Sequence, residues 1–250
     1  MEKSTEMGMN RTGIGMSPID SKAMISGAQQ LTPVEKPDGQ AMMLMEQQFV
    51  ENAGTIGSVP VPGTMKGALK AAMGKMAGRN PEALLNKMGE RLAFERGGVR
   101  LYESAIRKCE ALASLQGDAP VPLDELKHIR DEELEHFRLL KNCMTEMGAD
   151  PTAVTPDADV SGVMALGIQK VPADPRTSIG QCLEALLVAE LADNAAWELL
   201  ISLSEQMGMD DMADDFRRAL RQEETHVQRV RGWYEQAVMA DATKEAAPRH

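Results

Sequence analysis

The sequence predicts an all-α protein: a four-helix bundle with one long crossover between its second and third helices, preceded by an irregular, short-helical arm. Three observations carry that expectation. Aromatic residues make up 3% of the chain and Met occurs 19 times, a mix that favours helix, because β-branched and aromatic residues lead in strands. From Asn80 onward, apolar residues recur at alternating steps of three and four, the inward stripe of packed helices. The helical patterns are joined by a short, a long and a short link, the connectivity of a bundle with one crossover.

Residues 1–79 form a Met/Gly-rich arm without a sustained period, expected to be partly ordered and to pack on its own bundle or on a neighbouring subunit. Within it, 41–52 (AMMLMEQQFVEN) and 65–77 (MKGALKAAMGKMA) are short helical candidates separated by GTIGSVPVPG. A membrane-surface helix or a Met-rich soft-metal site are the functional alternatives for this arm. The bundle spans 80–240. Asn80 before Pro81 is a helix start, an N-cap followed by proline at the first helical position. Four helices are then expected near 81–115, 122–148, 177–208 and 210–238. QGDAPVP joins the first pair and a break near MGMDD the second. ADPTAVTPDADVSGVMALGIQKVPADP lies between the pairs, long enough to cross the fold. Residues 241–250 read as a flexible tail.

The opening MEKSTEMG carries no apolar stretch of a secretory signal. No run approaches roughly 18 apolar residues, so no membrane span is expected. Cys109, Cys143 and Cys182 are scattered without a C-x-x-C, which fits reduced thiols and a cytoplasmic location. The net charge is −11, and residues 81–250 hold 31 acidic against 19 basic side chains. Such a surface is a poor partner for nucleic acid phosphates.

The inward stripe of the first helix reads Leu85, Met88, Leu92, Glu95, Val99, Tyr102, Ile106, Cys109, Leu112. That of the second reads Leu126, Ile129, Glu133, His136, Leu140, Cys143, Met147. The third gives Ile179, Cys182, Leu186, Glu190, Asp193, Trp197, Leu200, Ser204, Met207. The fourth gives Met212, Phe216, Ala219, Glu223, His226, Val230, Trp233, Ala237. Each stripe is broken near its middle by ionisable residues, and the breaks repeat: Glu95 then Glu133-x-x-His136, Glu190 then Glu223-x-x-His226. The chain reads as two related helix pairs. Four buried carboxylates would repel one another and be desolvated, whereas two divalent cations would neutralise their four charges. Residues at i and i+3 share a helix face, so each Glu-x-x-His pair can hold one metal. Mixed carboxylate and imidazole donors suit iron or manganese.

These motifs resemble the ferritin-like di-iron carboxylate proteins, especially the bacterioferritin and rubrerythrin branch, over about 80–240. The resemblance implies two iron ions, with manganese as an alternative, held by Glu95, Glu133, His136, Glu190, Glu223 and His226. Tyr102, one heptad beyond Glu95, looks like the Tyr that many members set behind their metal ligands. Asp193 shares the stripe and reads either as a residue that orients a liganding His through its second ring nitrogen or as a carboxylate on the bundle's polar shoulder. Trp197 and Trp233 read as core packing, and His128 and His250 as outside the site. Glu132, Glu135 and Glu224 read as a solvated face. The cysteines are too far apart along the helices for a rubredoxin-like centre, so an external electron donor is needed unless Fe²⁺ itself is oxidised. The implied activity is an oxidoreductase reacting with O₂ or H₂O₂, as a ferroxidase or a peroxidase in oxidative stress, in a homo-oligomer. Oligomeric iron storage, or a non-catalytic interaction protein using its arm, are the alternatives.

Overall fold

The structure, a computed structural model, describes residues 5, 7–10, 12–31, 39–64, 67 and 80–243. The expected helix at 65–77 lies outside these residues except for position 67, as does the tail beyond residue 243. The described residues are helical throughout their regular structure, with no strand among them. They divide into two units, a small one within 5–55 and a larger one within 56–243.

Among its described residues the small unit contains a 3₁₀ turn, Ile14–Met16, and two helices, α1 (Pro18–Leu31) and α2 (Gly39–Asn52). Helix α2 coincides with the expected 41–52 segment. Helix α1 was not expected, because its apolar residues follow no clear period. Neither helix buries a residue, and Met42, Met43, Leu44 and Phe49 are all exposed.

Among its described residues the large unit holds five long helices. Helix α3 (Pro81–Gln116) starts as the sequence implies, with the Asn80 side chain accepting from Glu82 N and Pro81 in the first turn. Gly117 ends it at φ 94°, a left-handed conformation that glycine adopts without strain. Helix α4 covers Leu123–Glu146. Helix α6 (Ile179–Gln206) opens on a capping box between Ser178 and Gln181, and α7 covers Asp210–Thr243. The last helix therefore extends into the segment expected to be tail.

The crossover holds one more helix, α5 (Pro156–Ala173), where the sequence reading expected only a connection. Its start repeats the signal of α3: Thr155 accepts from Ala158 N, and Pro156 is the first helical residue. It lies against α3 and α6 and buries only Ser161 and Pro172. Polar bonds tie it down along its length. Asn86 Oδ1 accepts from Asp157 N at 3.1 Å, Gln169 Nε2 donates to Gly97 O at 2.8 Å, and Lys108 Nζ donates to Asp174 O and Thr177 O.

Two apolar clusters give the directions of the four long helices. One joins Leu84–Leu92 of α3, Leu140–Met144 of α4, Trp197–Ile201 of α6 and Ala213–Ala219 of α7. The other joins Leu101–Cys109, Leu126–Ile129, Ile179–Ala189 and Val230–Trp233. Helices α3 and α7 therefore run one way and α4 and α6 the other, with α4 and α6 parallel and linked by the full-length return through α5. Every residue on the four expected stripes is buried, save Val99, Leu112, Met147, Met212 and Ala237, which are half-buried. Among the described residues no helix is long and apolar enough to cross a membrane.

Candidate metal centre

Between the two apolar clusters lies a layer of ionisable side chains. Glu95 comes from α3, Glu133 and His136 from α4, Glu190 from α6, and Glu223 and His226 from α7. All six are at most 2% exposed. The fold thus brings together every residue expected to ligate metal. They form two overlapping groups, Glu95–Glu133–His136–Glu223 and Glu133–Glu190–Glu223–His226. In each, one donor atom per residue lies within 4.8 Å of the others. Glu133 and Glu223 belong to both.

The donor atoms point at one another. His136 Nδ1 is 2.7 Å from Glu223 Oε1 and 3.7 Å from Glu95 Oε2. His226 Nδ1 is 3.3 Å from Glu223 Oε2, 3.5 Å from Glu133 Oε1 and 3.6 Å from Glu190 Oε2. None of these contacts has hydrogen-bond geometry. Glu95 Oε2, Glu133 Oε1, His136 Nδ1, Glu190 Oε2, both Glu223 oxygens and His226 Nδ1 are all buried without a hydrogen-bond partner. Buried polar atoms are ordinarily satisfied. Apart from Arg91 Nε, the orphans among the described residues are all carboxylate oxygens or imidazole nitrogens of this one pocket, which is what a bound cation would satisfy. The residues fit a metal ion, and the group could hold one.

The outer nitrogens of both imidazoles are anchored by residues one position before each Glu-x-x-His motif. His136 Nε2 lies 3.0 Å from Gln222 Oε1, and His226 Nε2 lies 2.9 Å from Glu132 Oε2. Gln222 Nε2 donates to Glu132 Oε1 at 2.7 Å, closing one chain of bonds across both histidines. With each Nε2 donating, each Nδ1 presents its lone pair inward once it gives up its proton. Glu132 is therefore not on a solvated face, as the sequence reading had it. Its position, one residue off the inward stripe, hid the partner that α7 supplies. Glu135 and Glu224 are exposed, as expected.

The lone glutamates are held by aromatic donors on each other's helix. Tyr102 Oη donates to Glu190 Oε1, and Trp197 Nε1 donates to Glu95 Oε1 at 3.1 Å. Trp197 also packs against Phe216 and His136, so its expected core role is joined by a polar one. Both donors lie one heptad after their own helix's glutamate, and that matched spacing was the signal for Trp197. Trp233 is a core residue. Asp193 does not orient a histidine. It pairs with Arg91, which is itself buried and lies over the Phe94 ring. A carboxylate inside an apolar stripe needs a cation, and Arg91 is the one the sequence reading missed. His128 stays out of the donor set, with its Nε2 3.5 Å from Glu132 Oε1. His250 lies outside the described residues. The three cysteines are buried.

Electrostatics follow the crowding. Burial, then Glu223 and Glu95, push the Glu133 pKa well up. Burial also raises Glu190, to about 7, against the pull of His226. Burial alone would lower His136, but Glu223 and Glu95 outweigh it and raise it to about 11. His226 is raised likewise, with Glu132 the strongest of its acidic partners. Glu132 is held down to about 2 by its bond to His226. A polar cleft of about 420 Å³ opens outside Glu132 and Gln222, walled by His128, Arg218, Arg221 and Arg229. No protein-family model, curated protein or solved structure matches this chain.

Proposed function

We propose that the chain is a ferritin-like dinuclear metal protein, an oxidoreductase whose two iron ions, or manganese and iron, react with O₂ or H₂O₂. The carrying observation is the set of seven orphaned donor atoms on Glu95, Glu133, His136, Glu190, Glu223 and His226. Glu95 and His136 would hold one ion, Glu190 and His226 the other, with Glu133 and Glu223 shared between them. Bound metal would supply the electrons and Lewis acidity that the oxidant needs. The chain supplies the rest. Four carboxylates balance the charge of two divalent ions. Glu132 and Gln222 fix the imidazole rings by their outer nitrogens. Tyr102 and Trp197 hold one oxygen of Glu190 and Glu95 and leave the other directed inward. The apolar clusters on either side of the layer limit water. Electrons come either from Fe²⁺ or from an external reductant.

The test is metal analysis of protein purified without added metal, followed by anaerobic loading with Fe²⁺ and exposure to O₂ and then to H₂O₂. About two ions per chain are expected, with an absorbance change on oxidation. The Glu133→Ala variant should retain less than half of that metal, since it removes a donor from both groups. Fewer than one ion per wild-type chain, or zinc alone after iron loading, would sink the proposal.

A further inference from the structure

The two halves of the centre are matched in sequence but unequal in charge. Glu132 and Gln222 hold equivalent positions, yet one is a carboxylate on His226 and the other a neutral carboxamide on His136. Three residues after the lone glutamates stand Gly98 and Asp193; four residues before them stand Arg91 and Leu186. Arg91 and Asp193 form a buried pair. Arg91 Nε also lies 3.9 Å from Glu95 Oε1, so Glu95 shares its charge with a permanent cation. Glu190 has a tyrosine hydroxyl there instead.

Resting on the dinuclear reading, we infer that the metal sites fill in order: Glu190–His226 takes the first ion and Glu95–His136 the second. Glu132 is the positioning residue that sets the order. Its negative charge sits one imidazole away from the first ion, on the hydrogen-bonded outer nitrogen of His226. A carboxylate behind a liganding histidine strengthens the imidazole as a donor, and losing such a partner costs about 10–100-fold in metal affinity. Gln222 orients His136 equally well but adds no charge. The hydrogen bond between Gln222 and Glu132 keeps the two residues as a unit, so the asymmetry can be moved without breaking the network.

Titration of metal-free protein with Mn²⁺, followed by calorimetry and electron paramagnetic resonance, reads this directly. The wild type should show two steps, the first tighter by about tenfold or more. At one equivalent the spectrum should be that of an isolated ion, and the exchange-coupled spectrum should grow only with the second. Glu132→Gln should weaken the first step by about tenfold, so that the steps merge and coupling grows from the first addition. The double variant Glu132→Gln/Gln222→Glu should restore the gap with the order reversed. In crystals holding one equivalent, manganese anomalous scattering should then move from the Glu190–His226 side to the Glu95–His136 side. Equal weakening of both steps in Glu132→Gln, or a double variant with no gap, would overturn the ordering. Wild-type protein that binds less than one Mn²⁺ would instead remove the dinuclear reading, and the ordering with it. Circular dichroism of each variant establishes that the fold is retained.

Discussion

A methyl group at position 98 would lie 3.0 Å from Glu133 Cδ and closer still to its Oε2. Glycine there is what lets the shared carboxylate lie flat against α3, on the side where the matched position in the other half carries Asp193. The atom the methyl meets first is the far end of a flexible side chain, so the Glu133 carboxylate can turn away from it, but in turning it leaves the donor set. Gly98→Ala should therefore spare the helix, where alanine is favoured over glycine by about 1 kcal/mol, and damage the centre. The expected outcome is an unchanged or raised melting temperature for the metal-free protein, with Mn²⁺ affinity lowered by about tenfold. Calorimetric titration beside a circular dichroism melt checks both. A variant that binds Mn²⁺ like the wild type would show that Glu133 needs no such room.

Helix α5 depends on the same kind of close approach. A Cβ on Gly89 would sit 2.5 Å from both Thr155 Cγ2 and Oγ1. That threonine cannot turn away, because its hydroxyl accepts from Ala158 N and donates to Asn86 O. Gly89→Ala should thus push the start of α5 off α3 and cost about 1–3 kcal/mol. Thr155→Ala should remove the cap for about 1 kcal/mol, and in that background the Gly89→Ala penalty should shrink, because the clashing atoms are gone. Urea unfolding of the two single variants and the double variant measures this coupling; strict additivity would refute it. What the sequence did and did not reveal at this scale has a common cause. The four long helices bury a wide apolar stripe, so their period, the Asn80 cap of the first and the charged interruptions at 95, 133, 136, 190, 223 and 226 were readable. Helix α5 buries almost nothing but small residues against its neighbours, so it leaves no stripe, although Thr155–Pro156 announced its start. Glu132 and Arg91 each stand one residue before a stripe position. Their burial is made by a partner on another helix, His226 and Asp193, which no single-helix pattern contains.

The centre also makes the whole molecule's stability depend on pH in opposite ways with and without metal. In the metal-free protein, His136 stands at about 11 against an ordinary 6.5. A raised histidine pKa contributes stability that is complete below 6.5 and is lost as pH rises toward 11. His226 acts in the same direction. Glu190, raised from 4.5 to about 7, keeps a proton in the folded state that the unfolded chain has shed, so its folded form also loses ground between those values. Glu132, lowered from 4.5 to about 2, acts only on the acid side, where its contribution disappears as pH falls through that window. From about pH 5 upward the metal-free molecule should therefore become steadily less stable. Metal reverses the slope, since its ligands must give up those same protons, and binding tightens as pH rises. At one hundred times Kd, one ion adds about 2.7 kcal/mol, and the increment grows as Kd falls. Calorimetric melting at about pH 6 and about pH 9, with and without excess Mn²⁺, should show a falling melting temperature for the metal-free protein and a widening gap between the two forms. A gap that stays constant across that range would mean that the buried carboxylates and imidazoles are not the groups that take the metal.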